Sequence, residues 1–311
     1  MKRLSEDSYD RVVTKFAGKN FLKRAEDERR LFAATVSGYG CEIAGFALSR
    51  ALLSASLYGV KVNEASACLT FPEGTEESFM REFVKELAAA SVRHDVKISG
   101  IDVRLTDSSE PAVTVTAGGE ASARRDKIKS LKKDIKSNAK NYHILLCGNI
   151  AIEKTVSLRR EMAEELEKMY PLHFLDEKEL EEQLYVTEGG CKAASAFLEI
   201  GEAAGYALPI GDGGVFEALR QLGLSLNCGL CAHLPDIFVS PLTVEICETT
   251  DISPYEVPGG GACVAVTDEP EKVLAVCEVN GVSARVIGNL TEGTARAVIN
   301  GDEKRFLDKR K

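Results

Sequence analysis

Strand-like and helix-like stretches alternate along both halves of this chain of 311 residues, and this alternation is the strongest constraint on its fold. Apolar and polar residues alternate strictly over residues 113–116, as in a half-buried strand, whereas apolar residues recur near helical spacing over residues 41–58. Each kind of apolar face has to be buried against another element, and stacked layers of sheet and helix achieve this. The pattern therefore predicts an α/β or α+β fold.

The predicted elements follow one another along the chain. Strands are predicted at residues 31–36, 61–69, 96–105, 112–116, 143–147, 224–234, 262–267, 284–287 and 296–299. Helices are predicted at residues 5–30, 41–58, 150–169, 215–222, 242–249 and 269–279, from the turn at 72–77 to residue 94, and twice more between residues 176 and 205. Both halves of the chain therefore contain strands as well as helices.

A strongly basic stretch separates the two halves. Residues 121–140 contain eight Lys or Arg against two Asp, which is typical of a solvated helix or linker, although an anion-binding patch would have the same composition. This change in composition predicts a domain boundary near residue 140. We therefore divide the chain into a polar helical segment at residues 1–30, an N-terminal domain at residues 31–140 and a C-terminal domain at residues 141–311.

Charge and cysteine content exclude several classes of protein. The formal net charge of −9 argues against a nucleic-acid binder, which needs a net basic face. No apolar run reaches the roughly 18 residues that a membrane span requires, so no membrane partner is expected. The nine cysteines are an odd number without a disulfide pattern. Reduced thiols in a cytoplasmic protein explain this usage best.

Residues 211–214 (Gly-Asp-Gly-Gly) directly precede a predicted helix and form the first candidate binding segment. Exposed amides at a helix N-terminus can hold an anion such as a phosphate, which makes Asp212, Gly213 and Gly214 candidate cofactor-binding residues. A tight turn in which Asp212 caps the helix explains the same letters equally well. Neither a Walker A motif nor a dinucleotide-binding fingerprint is present.

Cys228, Cys231 and His233 form a second candidate cluster. The two cysteines have the C-x2-C spacing of metal sites, but no second pair follows at the spacing of a zinc finger. The segment also alternates like a strand, which places Cys231 and His233 on one face. A structural role and a metal or redox role both remain open, and no metal ligands are assigned.

The order of motifs in the C-terminal half resembles that of the AIR synthase-related, or PurM-like, superfamily. The matching segments are residues 212–219, 244–248, 252–256, 259–262, 286–293 and 298–307, and fainter matches in the first half lie at residues 42–59, 69–77, 98–104 and 111–118. Members include aminoimidazole ribonucleotide synthase, thiamine monophosphate kinase, selenophosphate synthetase and a hydrogenase maturation carbamoyl dehydratase. The chain is most similar to the clostridial-type hydrogenase maturation factors.

This resemblance implies a two-domain architecture, in which an N-terminal sheet domain dimerises and a C-terminal α+β domain follows. It implies a homodimer, or a heterodimer with an intact relative. In the relatives the nucleotide lies between the N-terminal domains and a loop of the C-terminal domain. Asp102 occupies a position where relatives have His or Asp, so it joins Asp212, Gly213 and Gly214 as a candidate cofactor-binding residue.

Several acidic positions of the superfamily have lost their carboxylates in this chain, where Ala34, Leu53, Ser54 and Pro209 stand instead. Magnesium bound to a nucleotide needs oxygen ligands, usually including one or two carboxylates. These departures favour a degenerate, non-catalytic scaffold or regulatory member for which no cofactor is expected.

The alternative is an active ATP-dependent enzyme with a remodelled site. It would be a ligase, a dehydratase or a kinase-type phosphoryl transferase, with ATP and Mg²⁺ held by Asp102, Asp212 and the two glycines at 213 and 214.

Overall fold

The computed structural model describes residues 29–121, 131–170 apart from 132 and 136, 190–201 and 205–307. The polar segment predicted at residues 1–30 lies outside these ranges, except that Arg29 and Arg30 begin the first strand. Residues 122–130 of the basic stretch lie outside them as well. None of the helices in the described ranges is long and apolar enough to cross a lipid bilayer.

Within the described residues, four strands form a first sheet in the order β1-β4-β2-β3. They are β1 (Arg29–Ser37), β2 (Val60–Pro72), β3 (Lys97–Thr106) and β4 (Ala112–Ala121). Strand β2 pairs in parallel with β3 and antiparallel with β4, and β1 pairs antiparallel with β4. Helices α1 (Ile43–Leu57) and α2 (Glu77–Arg93) pack together beside this sheet.

Alternation of apolar side chains determines which face of the first sheet is covered. In β2, Ala65, Ala67, Leu69 and Phe71 are buried together with residues of α1 and α2, as the period of two in a strand requires. Helix α1 is buried almost along its whole length because it contacts the first sheet, α2 and the second sheet. It therefore helps to join the two halves of the structure.

A second sheet contains seven of the described strands, in the order β11-β10-β7-β9-β5-β8-β6. They are β5 (His143–Cys147), β6 (Tyr206–Pro209), β7 (Gly229–His233), β8 (Cys263–Thr267), β9 (Ala284–Thr291), β10 (Arg296–Asn300) and β11 (Glu303–Phe306). Only β7 and β10 pair in parallel.

Helices cover both faces of this sheet. The helices of this half are α3 (Ile152–Glu161), α4 (Ala163–Met169), α5 (Gly214–Leu226), α6 (Pro241–Thr249) and α7 (Pro270–Val279), together with helical residues 190–200. The central strands β5 and β8 are apolar on both faces, because one face packs against α5 and the other against α7 and residues 190–200. The expected mixed α/β fold is therefore confirmed.

Two of the predicted element boundaries are wrong for a local reason. Residues 224–226 belong to the end of α5 and not to the strand predicted at 224–234. Asn227, with a left-handed φ of 53°, ends that helix and lets β7 begin at Gly229. The helix predicted at 150–169 is divided at Met162 into α3 and α4.

Strand β4 also continues beyond the predicted strand at residues 112–116, through two glycines to Ala121. A side chain at Gly119 would lie 2.0 Å from the backbone oxygen of Lys61, so the glycine permits two strands to approach closely. The register between β2 and β4 shifts at this point. Strand β11, an edge hairpin strand of four residues, is absent from the sequence prediction.

Candidate functional site

A cleft of about 600 Å³ opens between the first sheet and the α3 side of the second half. It is lined by Thr35, Val36, Ser37, Gly38, Tyr39, Phe46, Arg50, Glu110, Glu153, Lys154, Ser157, Glu161, Asp212 and Pro258. Its volume falls within the range of small-molecule sites, about 300–1,000 Å³. We therefore examine it as the candidate functional site.

A charged cluster joins the two sides of this cleft. Arg50 of α1 donates from Nε to Oε1 of Glu153 at 2.8 Å and from Nη2 to the second oxygen of the same carboxylate. Its third contact runs from Nη1 to Oδ1 of Asp212 at 2.9 Å. Arg50 is 8% exposed and Glu153 4%, whereas about half of the Asp212 side chain is exposed. One guanidinium is therefore held by two carboxylates, one of them buried.

The electrostatic balance of this cluster keeps Arg50 charged. Burial of the guanidinium alone would lower the pKa of Arg50, but Glu153, followed by Asp212, outweighs burial and raises it. Fork-shaped pairing with a carboxylate is the strongest geometry available to arginine. Both oxygens of Glu153 are thus committed to a permanent cation.

Local backbone geometry aims Glu153 at α1. Ala151, with a left-handed φ of 64°, turns the chain into α3, so that Glu153 lies in the first turn of this helix. Gly260 approaches that turn so closely that a Cβ atom there would lie 3.1 Å from the Glu153 amide nitrogen. Thr155 of the same turn bonds the hydroxyl of Thr243 at 3.0 Å, which fastens α3 to α6.

The glycine-rich turn places Asp212 in the cleft but engages its glycines elsewhere. Gly213 and Gly214 have left-handed φ values of 94° and 69°, and a side chain at Gly214 would lie 2.3 Å from the Tyr255 backbone oxygen. The Gly214 amide donates to the carbonyl of Gly211 at 3.0 Å. Of the predicted residues 212–214, all described by the structure, Asp212 alone lines the cleft.

Asp212 itself differs from the helix-cap interpretation. The capping residue of α5 is Gly213, which has no side chain that could make a capping hydrogen bond. The carboxylate of Asp212 bonds Arg50 instead. Conformation and close packing therefore explain the two glycines, while the assignment of residues 212–214 to a cofactor stays a prediction.

Asp102 lies far from this cluster in the architecture, on β3 at the edge of the first sheet. It pairs with Arg104 at 2.6 Å and faces a separate cavity of about 390 Å³ beside Cys68, Thr114 and Thr116. Both partners of this ion pair are more than half exposed. The structure thus does not bring Asp102 and Asp212 into one cleft of a single chain.

Sequence reasoning missed Arg50 and Glu153, the centre of the cluster. A signal for Arg50 existed, because it is the one basic residue in an otherwise apolar helical stretch at residues 41–58. Glu153 carried none, since it is one of many glutamates in a charged helix. Ser54, at one of the lost acidic positions, donates its hydroxyl to the Arg50 carbonyl at 2.8 Å.

The members of the candidate cluster Cys228, Cys231 and His233, at and just before β7, lie in different environments. Cys228 is buried in the core beneath the sheet, whereas Cys231 is partly exposed and His233 is exposed at the end of the strand. In the part of the chain that the structure describes, no group of three or more His, Cys, Asp or Glu residues is arranged to hold a metal ion.

Comparison with known proteins gives a fold without a close sequence relative. No protein-family model and no curated protein matches the chain. Among solved structures, HypE in a HypE–HypF complex is 16% identical with a TM-score of 0.68, and the match covers 98% of this chain and 99% of that one. Thiamine monophosphate kinase from Aquifex aeolicus is 15% identical with a TM-score of 0.65, covering 98% and 99%.

A third similar structure is the hydrogenase maturation protein HypE in complex with ATP. It is 13% identical with a TM-score of 0.66, and the match covers 91% of this chain and 85% of that one. The PurM-like fold that the sequence resemblance implies is therefore confirmed. The chain is a divergent example of that fold.

Proposed function

We propose that this protein is a non-catalytic PurM-like scaffold or regulatory protein that does not use Mg²⁺ and ATP. One observation carries the proposal: the Arg50 guanidinium occupies the carboxylates of Glu153 and Asp212 in the cleft between the two halves. Magnesium that accompanies a nucleotide needs carboxylate oxygens, and it anchors the charge that develops during phosphoryl transfer. A protein cation already pairs with two of the carboxylates of the cleft, Glu153 and Asp212.

The charge of the cleft supports the same proposal. Its charged lining residues are Arg50 and Lys154 against Glu110, Glu153, Glu161 and Asp212. Lys154 Nζ lies 3.8 Å from Glu161 Oε2, so Glu161 offsets part of the charge of Lys154. Because the lining is net negative, a triphosphate without bound magnesium would be repelled from it.

An active ATP-dependent enzyme is the second candidate, and the proximity of two carboxylates favours it. Glu153 and Asp212 are close enough to bind one guanidinium, so rotation of Arg50 out of the cleft would present both to a metal ion. HypE has been crystallised with ATP on the same fold. The reaction would then be a phosphoryl transfer of the ligase, dehydratase or kinase type, with Mg²⁺ and ATP as cofactors.

A scaffold needs a partner, and the first sheet offers a surface for one. Strand β3 is an edge of that sheet, and Ile101, Val103 and Leu105 on it are each about half exposed. An edge strand with apolar side chains readily pairs with another chain. We propose a homodimer through this sheet, with a heterodimer containing an intact relative as the other form to be tested.

Two experiments distinguish the non-catalytic scaffold from the active ATP-dependent enzyme. They are calorimetric titration of the full-length protein with ATP and Mg²⁺ and an ADP-release assay. The scaffold proposal expects no binding up to millimolar ATP and no ADP release above that of the buffer. Magnesium-dependent binding at micromolar affinity would overturn it. Repeating the titration with Asp212→Asn then establishes whether this carboxylate holds the metal.

A further inference from the structure

Three side chains outside the cleft form a chain of hydrogen-bonding contacts. His94, which follows the end of α2, contacts the sulfur of Cys191 through Nδ1. Its Nε2 lies 3.2 Å from the hydroxyl of Ser49 on α1. A thiol, a ring nitrogen and an orienting hydroxyl thus occur in one line, which is the arrangement of a nucleophile, its base and a positioning group.

Packing holds the three groups in this arrangement. Ser49 is buried, and a side chain at Gly190 would come within 2.9 Å of its Cβ, so the segment carrying Cys191 approaches α1 closely. Ala193, Ala196 and Phe197, further along that helix, are buried in the core that α1 shares with the second sheet. The cysteine is therefore anchored beside the imidazole by its own helix.

The imidazole is uncharged at rest, and a thiolate forming at Cys191 would supply the opposite charge that raises the basicity of the ring during proton transfer. Burial, and after it the charge of Arg93, lowers the pKa of His94 to about 4. The ring is consequently neutral near neutral pH, with one nitrogen able to accept from the thiol and the other able to donate to Ser49. In the tautomer that carries its proton on Nε2, the ring donates to Ser49 and leaves Nδ1 able to accept from Cys191.

Four of the other cysteines lie in environments that suppress reactivity. Burial raises the pKa of Cys228, and it raises the pKa of Cys247 to about 11. A hydrogen bond with a neighbouring buried thiol is the main cause that raises the pKa of Cys147 and of Cys277. Cys191, in contrast, is partly exposed beside a base, and reactive cysteines occupy such partly exposed positions.

We propose that Cys191 is a base-activated nucleophilic thiol and a site of reversible thiolation by small disulfides such as glutathione disulfide. His94 takes the thiol proton while the sulfur attacks one sulfur of the disulfide. The new S–S bond joins Cys191 to one half of the reagent, and the reagent's own S–S bond breaks. The departing thiolate takes the proton from His94 and leaves as a thiol, so atoms and electrons balance. Ser49 acts as a positioning residue for the imidazole.

Thiolation at this position would alter the contact between the two halves. The sulfur of Cys191 contacts His94, so an adduct would displace the imidazole from the line that ends at Ser49. Ser49 is followed directly by Arg50, which places this thiol site and the charged cleft on the same helix. The site is independent of the proposed function, because it involves neither nucleotide nor metal.

The test is the rate of modification of each cysteine in the full-length protein by excess glutathione disulfide, followed by peptide mass spectrometry. We expect Cys191 to react about tenfold or more faster than the partly exposed Cys41, Cys68 and Cys231, which serve as internal comparators. His94→Gln should reduce the Cys191 rate about tenfold and leave the Cys68 rate unchanged. Ser49→Ala should reduce it by a smaller factor.

Two results would overturn the proposal. One is a Cys191 rate equal to that of Cys68 in the unsubstituted protein. The other is a Cys191 rate that His94→Gln leaves unchanged. Should the His94 variant fold poorly, its Cys68 rate and its circular dichroism would reveal this, and Ser49→Ala in the same assay then decides whether the imidazole sets the rate.

Discussion

The side chains of Arg50 and Glu153 form a buried ion pair across 103 positions of the sequence, with Arg50 Nε 2.8 Å from Glu153 Oε1. Arg50 belongs to the helix beside the first sheet, and Glu153 to the first turn of α3 in the second half. The pair therefore fixes how the two halves approach each other around the cleft.

Removing Glu153 should strongly destabilise the fold. In Glu153→Ala, the buried Arg50 guanidinium keeps Asp212 but loses the other of these two carboxylates. Loss of one partner of a buried ion pair typically costs about 3–5 kcal/mol. Glu77→Ala is the control, because the Glu77–Arg81 pair on α2 is largely exposed and should cost less than about 1 kcal/mol. Urea unfolding measures both, and equal losses would contradict the structural role of Arg50–Glu153.

Removing the positive charge of Arg50 should create affinity for a divalent cation. In Arg50→Met the carboxylates of Glu153 and Asp212 lose their guanidinium, and two nearby carboxylates are suitable ligands for Mg²⁺. We expect millimolar Mg²⁺ to raise the melting temperature of Arg50→Met and to leave that of the unsubstituted protein unchanged, since ligand binding to the folded state stabilises it.

The double variant Arg50→Met/Asp212→Asn is the matched control for this effect. It should lose the response to Mg²⁺, because one of the two carboxylates is gone. Should Arg50→Met fail to fold, Arg50→Lys keeps a positive charge but loses the fork-shaped pairing. A melting temperature of the unsubstituted protein that rises with Mg²⁺ would favour the active-enzyme alternative.

Acid should destabilise the protein through His94. The pKa of His94 is lowered from 6.5 to about 4 by burial and by Arg93, so the unfolded chain binds its proton at a higher pH than the folded one. The stability that the neutral ring contributes is present above pH 6.5 and is lost as the pH falls towards about 4. The loss should reach on the order of 3 kcal/mol.

Comparison with His94→Gln isolates this contribution from that of the carboxylates, which also titrate in this range. The free energy of unfolding is measured for both proteins at several pH values between about 4 and 7. As the pH falls across that interval, the free energy of unfolding of the unsubstituted protein should decrease more than that of His94→Gln. Parallel pH profiles would show that His94 keeps an ordinary pKa in the folded state.

The fold could be predicted from the sequence where buried residues recur periodically. Strands such as β5 and β8 are continuous apolar runs, and α2 carries Phe83, Leu87 and Ala90 at helical spacing, so their type follows from local letters. The apolar run at residues 224–234 was ambiguous, since both a helix end and a strand bury such residues. The left-handed Asn227 that separates them is of a residue type that ends helices, and the strand prediction did not take it into account.

Only part of the site could be predicted from the sequence. Asp212 was identified from its glycine-rich turn, but its partner is an arginine 162 positions away that no local pattern connects to it. Asp102 was predicted as a site residue because its segment matches a superfamily motif, but the structure places it beside a different cavity. Long-range pairing depends on how helices pack, and spacing along the chain does not encode it.

The last prediction concerns self-association through the first sheet. Val103 lies on the edge strand β3 between the similarly exposed Ile101 and Leu105, where a paired copy would bury all three. We expect light scattering to give twice the chain mass of 33.7 kDa for the unsubstituted protein and a single mass for Val103→Lys, because a buried lysine opposes pairing. Val92→Lys, at an exposed apolar position on α2, should remain dimeric. A monomeric unsubstituted protein would contradict the homodimer and make a heterodimer with an intact relative the next form to test.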